Sequence, residues 1–158
     1  VLIFIDFDGV LHPLQRSEAE FVRLPLLWKI LRAAPHVEAV FSSSWREIYR
    51  PDELVEFVTS GGGEDLAHRF IGQTPRTPRA RSTYVPGHNS ERHNECLRWL
   101  AENGRQHRAW LAIDDVPQVF PPNSPNLYLV NGKTGLTNED VAAIIERINL
   151  AAAGEKIK

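Results

Sequence analysis

The chain has 158 residues, 42% of them hydrophobic and 24% charged, the size and composition of one domain able to bury a substantial core. No segment approaches the roughly 18 apolar residues of a membrane span, and the apolar opening lacks the flanks of a secretory signal, while the missing initiator methionine points to processing or trimming. The formal net charge of −2 gives no sign of a polyanionic partner, yet eight arginines against three glutamates lie between Arg69 and Arg108, a stretch that either attracts phosphates or forms a solvated face.

Val1 to Phe7 reads as a buried strand, because a continuous apolar run is what a strand covered on both faces requires. Pro25 opens a helix with Leu26, Leu27, Ile30 and Leu31 as its apolar stripe, and Pro35 stops it. "VEAVFSSS" is the next strand. Pro51 starts a second helix, with acids in its first turn and Leu54, Val55 and Val58 inward, closed by Gly61, Gly62 and Gly63. "RFIGQT" is a third strand, and the Pro- and Arg-rich segment from Thr74 to Asn89 is a long exposed loop. Ser90 is placed to cap a helix through about Asn103, with Leu97 and Leu100 inward and Gly104 as its left-handed terminator. The single cysteine, Cys96, excludes an internal disulfide and falls in that helix, so a buried thiol in a reducing cytoplasm is expected. "AWLAIDD" and "PNLYLV" supply the fourth and fifth strands, and Thr137 with Asp140 resembles a capping box before a helix carrying Val141, Ile144, Ile145 and Ile148. The alternation of strands and helices predicts an α/β fold, a Rossmann-like open parallel sheet with helices on both faces, formed by residues 1–158 as a single domain.

In such a sheet function collects at the carboxyl ends of the strands. Three of them end in polar residues: Asp6 and Asp8, then Ser42 to Ser44, then Asp114 and Asp115. Two like charges about 4 Å apart repel by roughly 4 kcal/mol at an effective dielectric of 20, so this acidic cluster calls for protons or a cation. All-oxygen ligands suit magnesium better than zinc, which prefers nitrogen and sulfur.

"DFDGV" after a buried strand, a second strand ending in serine and a later strand ending "IDD" resemble the haloacid dehalogenase-like (HAD) superfamily of phosphohydrolases. With "DGVLHP", "SSSWR", "IGQTP" and "GLTNED", the pattern covers most of the chain and is similar to small bacterial domains of that superfamily grouped with RNA-repair proteins. The resemblance implies Asp6 as the nucleophile and Asp8 as general acid and base. It implies a phosphate-binding serine, Ser42 or its rival Ser43, and magnesium held by Asp6, Asp8, Asp114 and Asp115. The usual lysine is absent from Pro51 to Asn131, so an arginine takes the basic role, Arg92 ahead of Arg81 or Arg79.

The implied activity is a magnesium-dependent phosphatase working through an aspartyl-phosphate. Neither gap between the motifs is long enough for a large cap domain, and an uncapped site suits a phosphate at the end of a bulky molecule. RNA or DNA ends are the expected partners, with no membrane and no obligate protein partner. His12, beside Pro13, is expected at the polar surface, as are His88 and His93. Tryptophans are expected in packing, with Trp45 the exception because it follows the serine motif. The competing reading is a non-catalytic phosphate- or nucleic-acid-binding module. A receiver domain has its acids in the wrong order, and a dinucleotide-binding oxidoreductase lacks its Gly-x-Gly-x-x-Gly.

Overall fold

The computed structural model describes residues 1–15, 18–77 and 89–154. Five short strands, β1 (Leu2–Ile5), β2 (Glu38–Phe41), β3 (Phe70–Gln73), β4 (Trp110–Asp114) and β5 (Leu127–Leu129), form one sheet in the order β3-β2-β1-β4-β5. Every neighbouring pair is parallel. Three helices connect strands, α1 (Leu24–Ala33), α2 (Pro51–Thr59) and α3 (Glu91–Glu102), and α4 (Asn138–Ala152) follows β5.

Strand alternation divides the core into two layers. Ile3, Ile5 and Phe7 point to one face, where they pack with Leu27 and Ile30 of α1, Leu54 and Val58 of α2 and Ile144 and Ile148 of α4. Leu2 and Phe4 point to the other, against Cys96, Trp99 and Leu100 of α3. Helices thus cover both faces of an open sheet, and no large additional domain interrupts it. Among the described residues, no helix is long and apolar enough to cross a membrane.

The helix ends show where local chemistry decided the outcome. Thr137 and Asp140 form the reciprocal capping box of α4, and Gly104 adopts a φ of +65° after α3, as a left-handed terminator should. Ser90 departs from expectation. It sits before α3 with a φ of +53° and makes no side-chain cap; the Asn89 carboxamide oxygen accepts from the Glu91 amide instead, at 3.1 Å. Leu97 is also turned outward, because the inward arc of α3 is set by Cys96, Trp99 and Leu100, and position 97 lies about 100° from position 96. Cys96 is buried as expected, and burial pushes its thiol well above the ordinary value. Arg79, Arg81 and His88 lie outside the described residues.

Candidate active site

The sheet register builds the site. Ile5 pairs with Phe41 on one side and with Ile113 on the other, so the next residues, Asp6, Ser42 and Asp114, emerge side by side at the carboxyl edge. Gly9, at a φ of +75°, turns the chain back immediately after Asp8. Oxygen atoms of Asp6, Asp114 and Asp115 all lie within 4.8 Å of one another. Asp6 and Asp114 are buried and Asp115 is half-buried.

Arg92, in the first turn of α3, reaches into this cluster. Its Nη1 donates to Asp114 Oδ2 at 2.6 Å and is ion-paired with Asp6 Oδ2 at 2.8 Å. Burial opposes the guanidinium charge, but the two carboxylates outweigh it and hold the group above its ordinary value. Burial and the Asp6 charge push Asp114 upward, partly offset by Arg92 and by the Val116 amide. The same two causes raise Asp115 to about 6.

These three acids fit a divalent cation. The donors are all hard oxygens, two of the carboxyls are held above their ordinary range by crowding and burial, and no His or Cys belongs to the set, the profile of an oxygen-ligand site. Asp115 is further confined by two glycines, since a Cβ at either Gly9 or Gly132 would collide with its Oδ2. Gly9→Ala is therefore expected to displace Asp115 and weaken the affinity of the three-acid cluster for a divalent cation about tenfold or more by titration calorimetry. The left-handed backbone adds a stability loss of about 1–2 kcal/mol, read in thermal melts.

The raised carboxyls also fix a pH signature. An acid whose folded pKa stands above its unfolded value of about 3.9 binds more protons folded than unfolded between the two. Without metal, Asp115 accordingly lowers stability as pH rises from about 4 to about 6. Above that window its contribution is constant. A divalent ion requires the ionised carboxylates, so added magnesium is expected to reverse the trend, the melting temperature rising from pH 5 to 7; parallel melts with and without the ion check this.

Asp8 stands apart from the three-acid cluster. Its Oδ2 accepts from Trp45 Nε1 and its Oδ1 from His12 Nε2, each at 2.9 Å. The Phe21 amide donates to His12 Nδ1 at 3.2 Å, which leaves Nε2 as the protonated nitrogen facing Asp8. Phe21 holds a φ of +58° to do so, a conformation costing a bulky residue about 1–3 kcal/mol. His12 is buried, not at the polar surface, because the Asp8 carboxylate and the Phe21 amide occupy both ring nitrogens. The only sequence signal for it was its position four residues beyond Asp8. His93 is half-buried, its ring 5.4 Å from that of Trp110.

The serines behave differently from one another. Ser43 Oγ accepts from the Trp45 amide at 3.3 Å, capping the short turn Ser44–Glu47. Ser42 Oγ is buried with no partner among the described residues, a state that buried hydroxyls rarely keep. Ser44 is exposed. Arg46, absent from the sequence-based site, secures the serine turn: its Nη1 donates to the carbonyls of Ser42 and Ser43 at 2.8 and 2.7 Å, and its Nη2 meets Glu95 Oε2 at 2.7 Å.

No curated protein and no solved structure matches the chain. One family does, described as the HAD domain in Swiss Army Knife RNA repair proteins, and its match runs over residues 2–141. Strand-end aspartates, open parallel sheet and family match coincide, and the chain belongs to the family of HAD domains found in Swiss Army Knife RNA repair proteins.

Proposed function

We propose that residues 1–158 act as one magnesium-dependent phosphatase domain that removes terminal phosphates from bulky phosphoesters, nucleic-acid ends in particular. The observation that carries this reading is the placement of Asp6 between Ser42 and Asp114 with Arg92 at 2.8 Å. Asp8 lies two residues further on, outside that group. Two acids in separate environments suit two roles.

In the first half-reaction an Asp6 oxygen attacks phosphorus, the bond from phosphorus to the leaving oxygen breaks, and that oxygen takes a proton from Asp8. In the second, a water attacks the phosphorus of the aspartyl-phosphate and surrenders a proton to Asp8. The bond to Asp6 then breaks, restoring its carboxylate and releasing inorganic phosphate. The hydrogen bonds from His12 and Trp45 orient Asp8 as the acceptor needed for this second half. Arg92 compensates charge on the transferred oxygens, and the unpartnered Ser42 hydroxyl donates to one of them. Magnesium held by Asp6, Asp114 and Asp115, with Asp8 nearby, would add Lewis-acid stabilisation of that charge.

The test is magnesium-dependent phosphate release from 3′- and 5′-phosphorylated oligonucleotides, nucleotides, sugar phosphates and phosphopeptides. Release that chelator abolishes and that favours oligonucleotides supports the reading. Silence across the panel with oligonucleotide binding retained would replace it with the binding-module alternative.

A further inference from the structure

Two cavities meet at Ser44 and differ in chemistry. The smaller, about 170 Å³, is lined by Arg46, Arg76 and Arg92 together with Glu47, Glu91 and Glu95. The larger, about 410 Å³, includes Asp8 in its wall. A leaving oxygen that takes its proton from Asp8 must depart on this larger side, while the phosphoryl group faces Arg92.

The larger cavity has the features of a seat for a flat, hydroxyl-bearing group. Tyr49 and Trp45 lie in its wall with rings stacked at 5.5 Å, and the indole is pinned by its bond to Asp8. Leu14 and Ile48 also line it, 57% and 79% exposed, apolar surface that a ring would cover. Its charged members among the described residues are carboxylates: Asp8, Glu18 and Glu20, with Glu18 paired to Arg23 at 2.9 Å. Such a wall accepts hydrogen bonds from hydroxyls and keeps phosphates out of the cavity, so the phosphodiester that continues a strand must lead out of its open side.

The geometry points to this cavity as a subsite for the terminal ribonucleoside of an RNA strand, the base packed on Ile48, Leu14 and Tyr49 and a ribose hydroxyl donating to Glu20. This inference rests on the phosphatase reading for its orientation. Base stacking tolerates any sequence, and the 2′-hydroxyl is the group that separates RNA from DNA. The cavity therefore selects sugar and ring, and reads little sequence.

The full chain is titrated with a short unphosphorylated RNA, the product of the reaction, followed by the NMR shift of the Trp45 indole N–H. The same DNA sequence, an RNA ending in an abasic ribose and an unphosphorylated serine peptide serve as comparisons. RNA is expected to bind at least about fivefold tighter than each of them. Ile48→Ala should weaken RNA about tenfold and erase the margin over the abasic strand. Glu20→Ala should erase the margin over DNA. Both positions are exposed, so neither change threatens folding. Equal binding of RNA and DNA, tighter binding of the peptide, or indifference to both substitutions overturns the inference. Acetyl phosphate, whose small leaving group needs no such seat, separates the two readings: its hydrolysis without RNA preference sinks the subsite alone. RNA preference without hydrolysis of acetyl phosphate sinks the phosphatase reading and leaves the binding site standing.

Discussion

Asp6→Asn is expected to lower kcat for phosphate release by about 10⁴-fold or more while leaving the fold intact. The carboxamide has nearly the shape of the carboxylate but cannot form an acyl phosphate, so the proposed stepwise route through Asp6 is closed to it. Arg92 keeps its 2.6 Å bond to Asp114, so the guanidinium is not stranded. The Asp6 charge also contributes to the upward displacement of both Asp114 and Asp115, and its removal relieves like-charge crowding. The melting temperature should therefore hold or rise as activity vanishes. Kinetics and thermal melts on the same preparation separate this outcome from simple unfolding, which would lower both.

Glu95→Ala is expected to be the most damaging change to stability, about 3–5 kcal/mol, because it strands a buried charge. Glu95 and Arg46 side chains are each only 5% exposed. Glu95 Oε1 accepts from the Thr77 amide at 2.8 Å while Oε2 holds Arg46, and Arg46 Nε donates to the Thr74 carbonyl at 3.1 Å. One ion pair thus ties α3 to the serine turn and to the chain leaving β3. For a domain of this size the loss corresponds to a fall in melting temperature of roughly 6–20 °C. Breaking the exposed Arg98–Glu102 pair is the control and should cost less than about 0.5 kcal/mol. Similar effects at the two sites in calorimetry would contradict the assigned role of burial.

The contrast between these residues explains what a sequence can disclose. Asp6, Asp114 and the serine turn were legible because each ends an apolar strand, and parallel topology brings strand ends together whatever the details of packing. The Gly104 terminator and the Thr137–Asp140 box were legible because turns and caps are local chemistry. Trp45 reaches Asp8 across 37 positions and Arg46 reaches Glu95 across 49, and no periodicity encodes a contact at such separation. His12 was misread for the same reason: its surroundings depend on a left-handed Phe21 that nothing in the local sequence announces. Leu97 was placed inward by its apolarity, whereas α3 spends that arc on Cys96 and on Glu95, whose charge is tolerated inside because Arg46 meets it. The separation of Asp8 from the other three acids likewise follows from its bonds to the distant Trp45 and to a His12 that Phe21 holds in place.

The central claim is that the phosphoryl group passes through Asp6, and its most direct test is an acid quench during turnover with magnesium and a phosphorylated substrate. Mass spectrometry then searches the peptide spanning Asp6 for one added phosphoryl group. The account predicts that the adduct appears at Asp6 in the wild-type protein, decays as substrate is exhausted, and is absent from Asp6→Asn. Steady phosphate release with no phosphoryl on that peptide at any time, or undiminished turnover by Asp6→Asn, would contradict it.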